Sequence, residues 1–182
     1  NISSPNTPNL RLQHEEDKIA KLIDSIKKIR EEKKSLVPIL LKISPDLDDL
    51  EINNLSDIFL EKNIDGLILT NTTIRNKSNL ISASKAEEGG LSGAPLNEPS
   101  NIIIKKFYHR LGGSIPIIGA GGVSDGKTAF EKIKSGASLI QLYTSLVFEG
   151  PYVANKINRE LSLLIEENGY KNISEVIGLY CK

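Results

Sequence analysis

The sequence predicts an α/β fold built on a parallel sheet, and three observations carry that prediction. Short runs rich in Ile and Leu recur along the chain. They are nearly continuous rather than alternating with polar residues, as strands buried on both faces are. Segments with apolar residues at helical spacing separate them, which implies right-handed βα units. Polar residues and glycines stand at the carboxyl ends of the runs, where α/β folds place their binding groups.

Taken in order, Asn1-Ile-Ser-Ser-Pro-Asn-Thr7 reads as a strand ending in a polar loop. A helix follows over 15–33, with Ile19, Leu22, Ile23, Ile26 and Ile29 on one face. Its charged end, Arg30-Glu-Glu-Lys-Lys34, reads as solvated. Pro38–Ser44 is the next strand run, and 46–62 the next helix, with a less regular face of Leu50, Ile52, Leu55, Ile58, Phe59 and Leu60. Asp65–Asn71 is again strand-like. The polar segment 73–98, with Gly89-Gly90, Gly93 and Pro95, is too long for an ordinary connection and reads as a functional loop or lid. Ile102, Ile103, Phe107 and Leu111 mark a helix over 99–111. Ile115–Gly121 and Ala137–Thr144 are the last two strand runs, with a helix over 126–135 between them carrying Ala129, Phe130 and Ile133. A final helix over 152–168 carries Val153, Ile157, Leu161, Leu164 and Ile165.

Periodicity alone does not separate an open doubly wound sheet from a closed barrel. The placement of polar groups favours the barrel. Lys42 and Ser44, Thr70 and Asn71, Gly121 and Gly122, and Tyr143 and Thr144 all stand at strand tips. In a (β/α)8 barrel every such tip faces one rim, where active sites sit. About four to five βα units are present, half of such a barrel. At 182 residues the chain is the length of one domain. Lys plus Arg total 23 and Asp plus Glu total 23, so no net positive charge argues for nucleic acid. No apolar run approaches a membrane span. One cysteine, Cys181, excludes a disulfide framework and a thiolate metal site, and reads as an inert tail residue. The chain contains no methionine, so residue 1 is expected to lie inside a longer polypeptide.

Several residues carry two readings. Gly119-Ala-Gly-Gly-Val-Ser124 closes a strand and opens a helix. Its glycines would let backbone N–H groups approach a phosphate, with the helix N-terminus adding positive partial charge. The other reading is a tight turn without a ligand. Ser124 stands where a dinucleotide fingerprint needs its third glycine. Tyr143-Thr144 before Gly150-Pro151 completes the pair of loops that often hold phosphate in such barrels. Lys42 is either a snorkelling lysine or a fixed cation near developing negative charge. Ser3-Ser4-Pro-Asn6 reads as a Ser- or Asx-type turn on chemistry alone. Asn71-Thr72-Thr73 is a turn, a helix cap, or a set of amide and hydroxyl groups suited to a heterocycle. His14 and His109 lack ligand spacing and read as surface residues.

The runs Asn-Ile-Ser-Ser-Pro-Asn-Thr, Leu-Lys-Ile-Ser-Pro-Asp, Asp-Gly-Leu-Ile-Leu-Thr-Asn-Thr-Thr, Gly-Gly-Leu-Ser-Gly-Ala-Pro-Leu, Pro-Ile-Ile-Gly-Ala-Gly-Gly-Val and Gly-Ala-Ser-Leu-Ile-Gln-Leu-Tyr-Thr closely resemble class 2, quinone-linked dihydroorotate dehydrogenases, in order and spacing. The resemblance implies that 1–182 is the C-terminal portion of a single FMN-binding (β/α)8 TIM-barrel domain. It implies oxidation of dihydroorotate to orotate in pyrimidine biosynthesis, with FMN as cofactor and a quinone as acceptor. It also implies peripheral attachment to a bacterial cell membrane or the mitochondrial inner membrane, through an N-terminal segment that is not in this chain.

Carried over by position, Ser4 matches the catalytic base that removes the C5 proton; a cysteine there would mark class 1. Asn1, Asn6, Asn71 and Thr72 match substrate contacts, Asn1 also lying near the flavin. Lys42, Thr70, Gly93, Gly121, Gly122, Tyr143 and Thr144 match FMN contacts. No metal ligand is implied. Asn9 replaces a glycine of the usual pattern, in a turn that asparagine tolerates. Two other functions remain on the sequence: another FMN-dependent pyrimidine reductase, against which the Ser4 loop speaks, and an inactive barrel fragment serving as a structural or interaction unit. A half barrel alone is expected to bind FMN poorly.

Overall fold

The structure, a computed structural model, describes residues 3, 16–75 and 77–181. The other residues of the opening loop, with Asn1, Ser4, Asn6, Asn9 and His14, lie outside the described residues. The described chain runs α1 (Glu16–Glu32), β1 (Leu40–Ile43), α2 (Asp49–Glu61), β2 (Gly66–Leu69), α3 (Asn97–Leu111), β3 (Ile117–Ala120), α4 (Gly126–Lys134), β4 (Leu139–Gln141), α5 (Thr144–Glu149) and α6 (Val153–Glu167). Every element expected from residue 15 onward is found, the strands a few residues shorter than their apolar runs; the strand expected at Asn1–Thr7 falls outside the described residues. The six-residue α5 was not expected, being too short to establish a helical repeat.

The strands form one parallel sheet in the order β1-β2-β3-β4. A doubly wound sheet reverses its strand order at a switch point. Among the described residues no reversal occurs, the arrangement that a barrel wall has. The register separates its two faces. Ile43, Leu69 and Gly119 form one row, and with Leu41, Leu67 and Ile117 they pack under the helices among Ile23, Phe59, Ile104 and Phe107. The Phe59 and Phe107 rings stack at 6.2 Å between α2 and α3. The other face carries the row Lys42, Ile68, Ile118 and Leu139. The first three are half-buried and Leu139 is 63% exposed.

Burial on both faces, expected from the continuous apolar runs, is therefore not what the described chain shows. Helices cover one face, and four strands wall only one side of an interior that a closed barrel fills from eight. Three helix faces also depart from expectation. Leu50 in α2 is 67% exposed, Ile29 in α1 is 55% exposed and Ile102 in α3 is 48% exposed, while Ile104, unassigned in the pattern, is fully buried.

Local chemistry sets the boundaries. The Asp48 carboxylate accepts the Glu51 N–H at 2.9 Å, and the Glu51 carboxylate accepts the Asp48 N–H at 2.8 Å, closing a capping box at the start of α2. Gly112 ends α3 at φ +58°, a left-handed cap that suits glycine. Asp65 ties the outer layer to the sheet, accepting the Ile39 N–H at 2.7 Å and an Arg30 guanidinium N–H at 2.5 Å. The Ile39 N–H, with Arg30 beside it, holds its carboxyl below the usual carboxylate range. The C-terminal turns fold back over α4, where Val176 packs with Phe130 and Ile133.

Candidate functional site

The carboxyl ends of all four strands open on one cavity of about 750 Å³, within the range of small-molecule sites. Lys42, Thr70, Asn71, Thr72, Gly93, Gly121, Gly122, Tyr143 and Thr144 all line it. The structure thus gathers every described residue singled out in the sequence for binding. Ser44 does not join them: it is buried, and its Oγ accepts the Asp46 N–H at 3.1 Å, a turn role. His109 is exposed and Cys181 half-buried, where burial pushes its thiol up.

The β2 tip is committed to local bonds. Thr70 Oγ1 donates to the Asn71 carbonyl at 3.0 Å, and Asn71 Oδ1 accepts the Thr72 N–H at 2.8 Å. Asn71 Nδ2 donates to Ser3 Oγ at 3.2 Å, and Ser3 Oγ donates to the Lys42 carbonyl at 2.7 Å. Ser3 is fully buried and lies against the tips of β1 and β2.

The long segment is pinned at its base. Thr73 and Leu91 exchange backbone hydrogen bonds of 3.1 and 2.7 Å. The Asp46 carboxylate accepts from Thr73 Oγ1, and also from the Ile74 N–H at 3.0 Å. The segment's far end, with Gly90, Ser92 and Gly93, then walls the cavity. Gly93 has φ +82°, and a Cβ there would lie 3.3 Å from Thr144 Cγ2.

The glycine loop differs from expectation in one respect. The N-terminus of α4 is not open to an anion. Asp125 caps it by accepting the Thr128 N–H at 2.7 Å, and Glu160 Oε2 accepts the Gly126 N–H at 2.6 Å. Carboxylates already use those two donors. At Gly122, φ is +69° and a Cβ would meet the Asn97 nitrogen at 2.5 Å. Gly122→Ala is expected to destabilise the full-length protein by about 2 kcal/mol or more, from left-handed strain and overpacking together. Thermal denaturation checks it; an unchanged melting temperature removes the steric requirement.

Sequence reasoning passed over Ser145. Its hydroxyl and that of Thr72 are the two buried side-chain polar atoms without a hydrogen-bond partner among the described residues. Both residues line this cavity. An unpaired buried hydroxyl is unfavourable by about 1–3 kcal/mol, a cost that a polar group bound in the cavity would relieve. A serine following Tyr-Thr carries no sequence signal of that role.

Comparison with known proteins places this architecture. The family model described as dihydroorotate dehydrogenase matches residues 1–165. The chain belongs to that family. Its relatives include proteins named dihydroorotate dehydrogenase (quinone) from Bartonella tribocorum, 43% identical over 179 residues, and from Natronomonas pharaonis, 40% identical over 179 residues. The mitochondrial protein of that name from Mus musculus is 42% identical over 181 residues. These alignments cover 96%, 98% and 98% of this chain but 50%, 49% and 46% of the relatives, so it spans about half their length. The crystal structure of DHODH from Eimeria tenella in complex with ferulenol superposes with a TM-score of 0.94 at 35% identity, over 98% of this chain and 52% of that one. Among the described residues, then, the sheet and its helices are a partial TIM barrel.

Proposed function

We propose that residues 1–182 form the C-terminal portion of a single FMN-binding barrel domain in a class 2 dihydroorotate dehydrogenase. The whole protein then oxidises dihydroorotate to orotate in pyrimidine biosynthesis, passes the electrons to a quinone, and attaches to a membrane surface through a segment outside this chain. The observation that carries the reading is the single cavity, with its strand-tip lining and two orphaned hydroxyls. The dihydroorotate dehydrogenase (quinone) names of the relatives support it.

The residues present fit a flavin mononucleotide. Gly93, Gly121, Gly122, Tyr143, Thr144 and Ser145 would offer peptide and hydroxyl groups to it, with Gly122, Tyr143 and Thr144 around its phosphate, and Lys42 and Thr70 would contact its ring; all of them line the cavity. When bound, FMN supplies the hydride acceptor. Asn71 and Thr72 lie at the β2 tip, the position proposed to hold the substrate ring and carboxylate. Ser4 takes the proton from C5. Lys42 places a fixed cation where negative charge develops as hydride leaves C6. Gly90, Ser92 and Gly93, in the 73–98 segment, wall one side of the cavity and would limit water access there.

Mixing the full-length protein anaerobically with dihydroorotate is expected to bleach the flavin absorbance. Bleaching by another dihydropyrimidine alone would make the enzyme a different pyrimidine oxidoreductase. Absence of a bound chromophore would reduce the chain to a structural unit.

A further inference from the structure

A buried cation stands behind the glycine loop, outside the cavity. Lys132 of α4 is 0% exposed. Its stem passes under Gly119, where a Cβ would lie 2.7 Å from the Lys132 Cγ and Cδ atoms. Its Nζ donates to Ser100 Oγ at 3.0 Å and to Asn101 Oδ1 at 2.7 Å, both on α3. Two arms run on from there. Ser100 Oγ donates to the Ala120 carbonyl at 2.6 Å. Asn101 Nδ2 donates to Asn97 Oδ1 at 3.3 Å, and Asn97 Nδ2 donates to the Gly122 carbonyl at 3.1 Å. One arm ends on the carbonyl of Ala120, the last residue of β3, which also accepts the Thr70 N–H at 2.9 Å, and the other on the Gly122 carbonyl two residues on.

A trans peptide points its C=O and the next N–H in opposite directions. The Gly122 carbonyl, held toward α3 by Asn97, therefore aims the Val123 N–H away from α3, and the Ala120 carbonyl, shared between Ser100 and the Thr70 N–H of the sheet, aims the Gly121 N–H away from both. Gly121 and Val123 line the cavity. We infer that Lys132 is a positioning residue, whose ammonium fixes through Ser100 and through Asn101 and Asn97 the two loop peptides that grip a phosphate group. This rests on the FMN reading above and extends it from the loop to the side chain that sets the loop.

The energetic sense is consistent. Burying a lysine without an ion partner is unfavourable, and desolvation alone pushes this ammonium down to about 7. A methionine would fill the same space without that penalty. What methionine cannot do is donate to Ser100 and Asn101 and so polarise both arms.

The test uses the full-length protein stripped of flavin, titrated with FMN and with riboflavin, which lacks the phosphate, and read by quenching of flavin fluorescence. Lys132→Met is expected to weaken FMN about tenfold, from two indirectly supported hydrogen bonds, and to leave riboflavin within about twofold. Ser100→Ala and Asn101→Leu each cut one arm and are expected to give smaller losses confined to FMN. They keep the test decisive if Lys132→Met does not fold. Equal losses for both flavins would make the network merely structural and overturn the proposal, as would unchanged FMN affinity. A wild type that binds neither flavin would overturn the cofactor reading itself, a result distinct from variants that keep the wild-type preference.

Discussion

Ser4→Ala in the full-length protein is expected to slow reduction of the flavin by dihydroorotate by about 10²–10⁴-fold, the range for removal of a general base. FMN content and dihydroorotate affinity are expected to change little, because a base acts mainly in the transition state. The neighbouring residue supports this position. Ser3 is held between the Lys42 carbonyl and the Asn71 amide, at the tips of β1 and β2. A serine hydroxyl is a weak base and needs a proton acceptor or exclusion of water. The unpartnered Thr72 hydroxyl on the same cavity has spare capacity to join such a relay. Stopped-flow absorbance after anaerobic mixing measures the rate. A rate within about twofold of wild type would remove Ser4 from the chemistry and leave it as a turn residue.

How far the sequence carried these conclusions depended on which signal each residue left. The βα order was legible because buried strands concentrate Ile and Leu, while α1, α2, α3, α4 and α6 each repeat apolar residues near 3.6. Barrel against open sheet was not legible from periodicity, since both use the same strands. A strand order without reversal, together with the superposition on a solved relative, decided it. The half-buried row ending at the exposed Leu139 was invisible because an apolar residue reads alike whether its strand is covered on one face or on both. At the site, the strand-tip residues were found through their position and their resemblance to a family. Ser145 was missed because its signal is an unsatisfied atom, which only coordinates reveal. Lys132 was missed for a related reason: in a helix reading Glu131-Lys132-Ile133-Lys134, a lysine reads as solvent-facing. Its burial depends on the space left by Gly119.

Lys42→Met is the other substitution with a large expected effect, about 10²–10³-fold in the rate of flavin reduction, the scale of losing one preorganised electrostatic group. Two readings of this lysine make opposite predictions. A snorkelling side chain keeps its ammonium in water, and trimming it changes stability by no more than about 0.5 kcal/mol. A fixed cation stabilises the reduced flavin, so its removal both slows hydride transfer and lowers the flavin midpoint potential, by about 30 mV for each 1.4 kcal/mol lost. The structure favours the second reading. Lys42 is half-buried in the register row with Ile68 and Ile118, and it lines the cavity. Among the described residues no carboxylate pairs with it. An ammonium so placed is available to an anionic partner bound within the barrel. Lys42→Arg keeps the charge and is expected to retain most of the potential while losing some rate through altered geometry. Spectroelectrochemistry of the full-length protein separates the cases, and a Lys42→Met protein with wild-type potential and rate would return Lys42 to the snorkelling role.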